Sequence, residues 1–312
     1  MRQWQRVFEH NQQPKCEGER QSYHYTPSQR DGMTFADELV LRRTTCEFIE
    51  KMAKVLDLPK LAQISTDNFL HRFYMRQSLV RYDKYLVAAA CVLLGSKAEE
   101  SPKKIGYVAK EYIAVRKVVE KDQVFAIQKH GQVIAGKIIS MEGVVLRNLA
   151  YELTLLHPYK FINEKVDRVV RLQLLEEREA KTQSGKIKQV AWSFLSDSAY
   201  TLACLQLESA DLAAGAVYLA GLYENYVPEE LCTPSSEPWW MALTTPLHTL
   251  QGIAVLVNAA LLSWVLALFK ISCCFPVCLD AARSLLTAYT APFIETNVLP
   301  AGLAKLAYMF HP

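Results

Sequence analysis

The chain has 312 residues, with 35 Lys and Arg against 32 Asp and Glu, a formal net charge of +3 and 51% hydrophobic residues. That length allows two domains with well-buried cores, and the charge is too mild to argue for nucleic-acid binding by itself. The eight cysteines (Cys16, Cys46, Cys91, Cys204, Cys232, Cys273, Cys274, Cys278) form no C-x-x-C pair, which argues against a zinc ribbon. Cys91 and Cys204 lie in apolar helical patterns and read as small core residues, which suits a reducing compartment.

Residues 1–25 are polar, lack a clear period and read as a flexible N-terminal arm without a secretory signal. A helical period then runs from residue 35 to about 56, with Leu39, Phe48, Met52 and Val55 as its apolar stripe and Pro59 as its stop. A second helix is predicted over residues 64–78, with Phe69, Leu70, Phe73 and Tyr74 turned inward and His71 as a hydrogen-bonded packing residue. The third surrounds residues 86–95, which carry no charge and are mostly Ala, Val and Leu. A helix apolar on every side belongs in the middle of a bundle, and its small residues let neighbours come close. The sequence then turns polar at once through Lys97, Glu99, Glu100, Lys103 and Lys104. Ser101-Pro102 reads as an N-cap followed by a first-turn proline, so a fourth helix is predicted from residue 101 to about 119. A fifth is predicted over residues 133–148. Strand signals are scarce and no glycine-rich phosphate loop occurs. The expectation is an all-α protein whose first half is a five-helix domain.

The second half repeats part of this pattern. An offset of 125 residues places Ala88-Ala89 on Ala213-Ala214, Val92 on Val217, and Phe69-Leu70 on Phe194-Leu195. The period is too long for a solenoid and points to a duplicated domain. Under the same offset Lys97 falls on Leu222, and His71-Arg72 on Ser196-Asp197. A charge kept in one copy alone favours a role specific to the first domain.

Beyond about residue 238 the character changes. Residues 238–312 hold five charged side chains, Lys270, Asp280, Arg283, Glu295 and Lys305. Residues 253–269 are 17 residues long, with Asn258 and Ser263 as their polar side chains. That is near the lower length limit for a membrane span; a buried last helix of the second domain fits it better, and a tail that is not a well-folded part of the protein is the third reading. The expected organisation is an arm over 1–25, a first domain over 26–155, a second over 156–245, and an atypical apolar tail over 246–312.

The strings along the chain resemble the cyclin family, and its transcriptional branch of cyclin K and cyclin T types. They are Thr26-Pro27-Ser28-Gln29 with Gly32, His71-Arg72-Phe73-Tyr74-Met75, and the run Lys97-Ala98-Glu99-Glu100-Ser101-Pro102-Lys103-Lys104. Met141-Glu142 with Val145-Leu146 and Leu149 follows, then His157-Pro158-Tyr159, Ala191-Trp192-Ser193-Phe194, Tyr218-Leu219-Ala220-Gly221 and Trp239-Trp240. Beyond Trp240 the family would have acidic, amphipathic closing helices, and this chain departs from it. The resemblance implies tandem cyclin folds, a nuclear protein, and a regulatory subunit that binds and activates a cyclin-dependent serine/threonine kinase. It further implies that the kinase phosphorylates the C-terminal repeats of RNA polymerase II. Lys97 and Glu142 match the lysine and glutamate with which cyclins grip the kinase αC helix. Glu100 matches a further contact of the transcriptional branch, and Tyr151 an aromatic at the kinase interface.

Nothing in the sequence reads as a catalytic, cofactor or metal site: it has no G-x-S-x-G, H-E-x-x-H or P-loop. Glu99 and Glu100 are a carboxylate pair, but adjacent helical residues point about 100° apart. Two other readings remain open. One is a nucleic-acid-binding transcription factor with two cyclin-like repeats, for which the basic cluster of Lys103, Lys104 and Lys110 is small. The other is a membrane-attached cyclin-like protein, which rests on residues 253–269.

Overall fold

The computed structural model describes residues 26–120, 127–171, 177–224 and 239–253. The arm expected over residues 1–25, and residues 254–269 of the apolar segment, lie outside these. Among the described residues the regular structure is entirely helical, and no helix is long and apolar enough to cross a membrane.

The first half begins with a short turn, α1 (Pro27–Arg30), closed by a capping box between Thr26 and Gln29. Then come α2 (Phe35–Val55), α3 (Lys60–Arg76), α4 (Lys84–Ala98), α5 (Ile105–Glu120) and α6 (Ile127–Asn148). Capping sets the starts. The Thr34 side chain accepts from the Asp37 N–H at 3.1 Å. Asp83 Oδ1 accepts from Tyr85 and Leu86 at 2.8 and 3.1 Å. The hub is α4, which packs on α2, α3, α5 and α6, and Val87 through Val92 have no exposed surface. Gly95 lets α3 approach, since a Cβ there would lie 2.3 Å from Thr66 Oγ1 and 3.1 Å from the Ala62 carbonyl.

Two readings need correction. On α2, Phe48 and Met52 are buried, but Leu39 and Val55 are exposed. The helix is rotated from the expected stripe because its inner face carries Glu38, Arg42 and Thr45 as well as Cys46, Ile49 and Ala53. Arg42 Nε donates to Glu38 at 2.9 Å and its NH1 to the His71 carbonyl at 3.1 Å, while Thr26 bonds the other Glu38 oxygen. Polar residues that satisfy one another inside are invisible to a hydrophobic period. The second correction concerns Ser101, which caps no helix. Its N–H donates to the Ser96 carbonyl at 2.8 Å, so it closes α4, and α5 opens only after Lys104.

The second half comprises α7 (Tyr159–Arg171), α8 (Glu177–Ser198), the short α9 (Ala203–Gln206), α10 (Ser209–Tyr223) and a 3₁₀ turn (Trp239–Leu243). As α4 does, α10 forms the buried centre, against α7, α8 and the 3₁₀ turn. Residues 247–253 are helical, and Leu250 and Ile253 are fully buried in this core.

Candidate functional site

Lys97 stands on the last turn of α4, and Glu142 on α6, which packs beside it. Lys97 Nζ lies 2.7 Å from Glu142 Oε1. The lysine side chain is 50% exposed and the glutamate 10%, so a nearly buried carboxylate is held by a cation that reaches it from solvent. Glu100 is exposed, three residues beyond Lys97. Tyr151, just past the end of α6, is 68% exposed. Lys97 and Glu142 are thus brought together, while Glu100 and Tyr151 are displayed at the ends of the same two helices.

Those ends share one geometry. At the close of α4, Glu100 donates to the Lys97 carbonyl at 3.3 Å and Ser101 to Ser96 at 2.8 Å; at the close of α6, Ala150 donates to Arg147 and Tyr151 to Leu146, both at 3.1 Å. Each pair is a Schellman motif, and α2 ends in a third through Asp57 and Leu58. The left-handed position in each is filled by Asp57, Glu100 or Ala150, at φ of 50°, 52° and 53°. Side chains other than glycine are strained there, by about 1–2 kcal/mol. Lys103 and Tyr107 then tie the loop after α4 to the end of α2: Lys103 Nζ donates to the Asp57 carbonyl and the Tyr107 hydroxyl to the Val55 carbonyl, each at 3.0 Å. Sequence reading missed this latch, because its acceptors are backbone atoms some 50 residues away.

Glu99 serves a different purpose from its neighbour. Its Oε1 accepts from Ser65 Oγ at 2.6 Å and faces His157 Nε2 at 3.1 Å, where the second half begins. Burial pushes its carboxyl up, but the Ser65 and His157 bonds outweigh this and hold it below the usual glutamate range. The same seam carries His71 Nε2 to the Ala199 carbonyl at 3.0 Å and the Tyr200 hydroxyl to Glu50 at 2.7 Å. Burial and the Arg42 charge push the His71 imidazole down to about 3, against the pull of the Ala199 carbonyl. His71 is therefore neutral, donates through Nε2, and belongs to the core. So do Phe73, Tyr74 and Cys91. A cavity of about 40 Å³ in the seam is lined by Asp67, Asn68, His157, Ser198 and Ser209 among others, room for a few waters and far below the roughly 300–1,000 Å³ of a ligand pocket. Burial pushes the Asp67 carboxyl well above the usual range. Among the described residues no cluster of His, Cys, Asp or Glu has the form of a metal site.

A hub helix ringed by four others, as α4 is, is the arrangement of a cyclin-like helical domain, and a second buried hub helix, α10, follows it. A family model, Cyclin, N-terminal domain, matches residues 7–154. Cyclin-T1-5 of Arabidopsis thaliana is 29% identical over 238 residues, covering 73% of this chain and 38% of the relative. Cyclin-K of Homo sapiens is 28% identical over 232 residues, with the same two shares. The crystal structure of the yeast RNA Pol II CTD kinase CTDK-1 complex contains a chain with the same fold, at a TM-score of 0.56 and 14% identity, covering 76% of this chain and 70% of that one. Residues 7–154 thus carry a cyclin N-terminal domain, and the curated relatives support the transcriptional branch of that family. The chain spans well under half the length of the two curated relatives named.

Proposed function

We propose that this chain is the regulatory subunit of a cyclin-dependent serine/threonine kinase, docking the kinase through residues 26–155 and the face presented by Lys97, Glu100, Glu142 and Tyr151. The observation that carries the reading is the Lys97–Glu142 pair. A kinase is active when its β3 lysine meets a glutamate on αC and its activation loop is ordered. A protein that presses on αC stabilises that arrangement, and a fixed donor beside a fixed acceptor sets the orientation of the docked helix. The pair is preformed, so little side-chain freedom is lost on docking. Leu222 stands where the second half would carry the lysine.

The face of α6 beside Glu142 supports the same reading. Gly136 and Gly143, with Ser140 between them, line its outer side, and a Cβ added at either glycine meets nothing within 4 Å. Each glycine in a helix interior costs about 1 kcal/mol relative to alanine, and nothing among the described residues requires them. A helix packed from outside would. Residues 156–245 then form the second cyclin-like domain, whose core Leu250 and Ile253 complete from the segment that follows.

The kinase's substrate, in this reading, is the C-terminal repeat region of RNA polymerase II, and the complex acts in the nucleus. Support comes from the cyclin K and cyclin T relatives and from the fold shared with a chain of the yeast polymerase kinase complex. The test is co-purification of the full chain from its native cells, followed by a kinase assay on a polymerase repeat peptide, with Lys97→Glu in parallel. Wild type brings down repeat-peptide kinase activity; Lys97→Glu loses it while far-UV circular dichroism is unchanged. Normal recovery by Lys97→Glu overturns the docking face, and lost helicity makes Lys97 a structural residue. A kinase recovered that ignores the repeat peptide overturns the substrate alone.

A further inference from the structure

Ser101-Pro102-Lys103-Lys104 is left over once the helices are assigned. The four residues lie in no helix, between the end of α4 and the start of α5, with Pro102 and Lys104 exposed and Ser101 and Lys103 half-buried. Proline has no N–H to bind back into the fold, and it holds the preceding serine in an extended conformation. The Ser101 hydroxyl does little for the fold: its bond to the Ser96 carbonyl is long, at 3.4 Å, while the Ser101 backbone N–H closes the helix at 2.8 Å. An extended, half-exposed serine followed by an exposed proline and then two cations has the shape and charge that proline-directed kinases recognise.

We propose that Ser101 is a phosphorylation site for a proline-directed serine/threonine kinase, and that its phosphate opposes docking at Lys97 and Glu142. The second half of this statement rests on the docking face described above. In the reaction the Ser101 Oγ bonds to the γ-phosphorus of ATP as the bond from that phosphorus to the β–γ bridging oxygen breaks. The hydroxyl proton passes to the base of the modifying kinase, and ADP leaves.

Three features of the site turn the added charge against docking. The phosphate carries about −1.5 to −2 charges and stands at the C-terminal turn of α4, the negative end of that helix's dipole. Its sequence neighbour is Glu100, so like charges accumulate on the docking rim. Its oxygens also compete for the nearby ammonium groups. Lys103 is held by a single backbone carbonyl and Lys97 is half-exposed, so either can turn to the phosphate. If Lys97 turns, Glu142 loses its partner. If Lys103 turns, the loop loses its tie to α2.

The experiment incubates the full chain with ATP and a purified proline-directed serine/threonine kinase, maps phosphate by mass spectrometry, and measures capture of a purified cyclin-dependent kinase catalytic subunit before and after. Phosphate is expected on Ser101, absent in Ser101→Ala and strongly reduced in Pro102→Ala, with unchanged circular dichroism in both variants. The phosphorylated chain should capture the catalytic subunit at least about tenfold more weakly than the Ser101→Ala variant treated alongside. An unmodified Ser101 in a chain that captures the subunit normally overturns the site. Phosphate on Ser101 with unchanged capture overturns the competition. An untreated chain that captures nothing overturns the docking face and the competition with it, a result distinct from an unmodified serine.

Discussion

The hub helices α4 and α10 are built alike and finished differently. Ala88 and Val92 in one, and Ala213 and Val217 in the other, have no exposed surface, so both cores are centred on small and β-branched side chains that admit close neighbours. At the end of α4, Gly95 is filled by another helix of the same domain, and Lys97 reaches across to Glu142. In α10, Gly215 is filled by the Ile253 side chain and Gly221 by the Trp239 ring, and the helix ends in an exposed Tyr223. The first hub is closed from within and turns its charged end outward. The second is closed by chain that comes after it. A buried helix can be duplicated as a packing unit while its terminus is free to take on a separate task.

The sharpest way to break this comparison is through the ionic groups. Glu38 and Arg42 are fully buried, whereas the offset of 125 residues places Asn163 and Asp167 there, and Asp167 pairs with Lys188 at 2.8 Å on the surface. Glu38→Ala strands a buried guanidinium and should cost about 3–5 kcal/mol in urea unfolding, against under about 1 kcal/mol for Asp167→Asn. Equal effects would show that the two halves are not built differently here.

Overpacking the hubs comes next. Gly95→Ala drives a methyl group into Thr66 and the α3 backbone, and should lower stability by about 1–3 kcal/mol; removing the Thr66 hydroxyl in the same chain should return part of that. Gly215→Ala meets the Ile253 side chain first, at 2.3 Å. It should loosen residues 239–253, seen as faster proteolysis there, and leave the first half untouched.

A smaller effect distinguishes docking from folding. Gly143→Ala should raise the stability of the free chain by about 1 kcal/mol and yet weaken capture of the catalytic subunit. A gain in both would remove the close-approach argument for α6. The smallest effect is one of pH. The Glu99 carboxyl is held low in the folded chain, so the unfolded chain keeps its proton to higher pH. The stabilisation is complete above the ordinary glutamate range and is lost as pH falls through it and below. Relative to Glu99→Gln, the wild type should lose stability on acidification through that window, and parallel curves would exclude a role for Glu99 in the seam.

The parts of this architecture that show in the sequence are those built by near neighbours. The apolar run of α4, the inward Phe69, Leu70, Phe73 and Tyr74, and the core placement of His71 follow from periodicity and composition. The turn of α2 does not, because Glu38 and Arg42 are buried only by virtue of Thr26 and the His71 carbonyl, which arrive from other elements. Ser101-Pro102 has the letters of a helix start, yet the backbone bond to Ser96 assigns it to the helix before. Lys97 stands out by the 125-residue offset and by resemblance, Glu142 by resemblance alone. Their contact spans 45 residues, and no local pattern encodes it.

The seam between the halves has a thermodynamic consequence. His71, Ser65, Glu50 and Glu99, all from the first half, have partners in Ala199, Tyr200 and His157, and Ile64 of α3 is counted in the second core. The halves cannot separate without breaking the bonds of the buried His71 imidazole and Ser65 hydroxyl. A chain that carries its architecture twice should therefore melt once, in a single cooperative transition in which calorimetric and van't Hoff enthalpies agree.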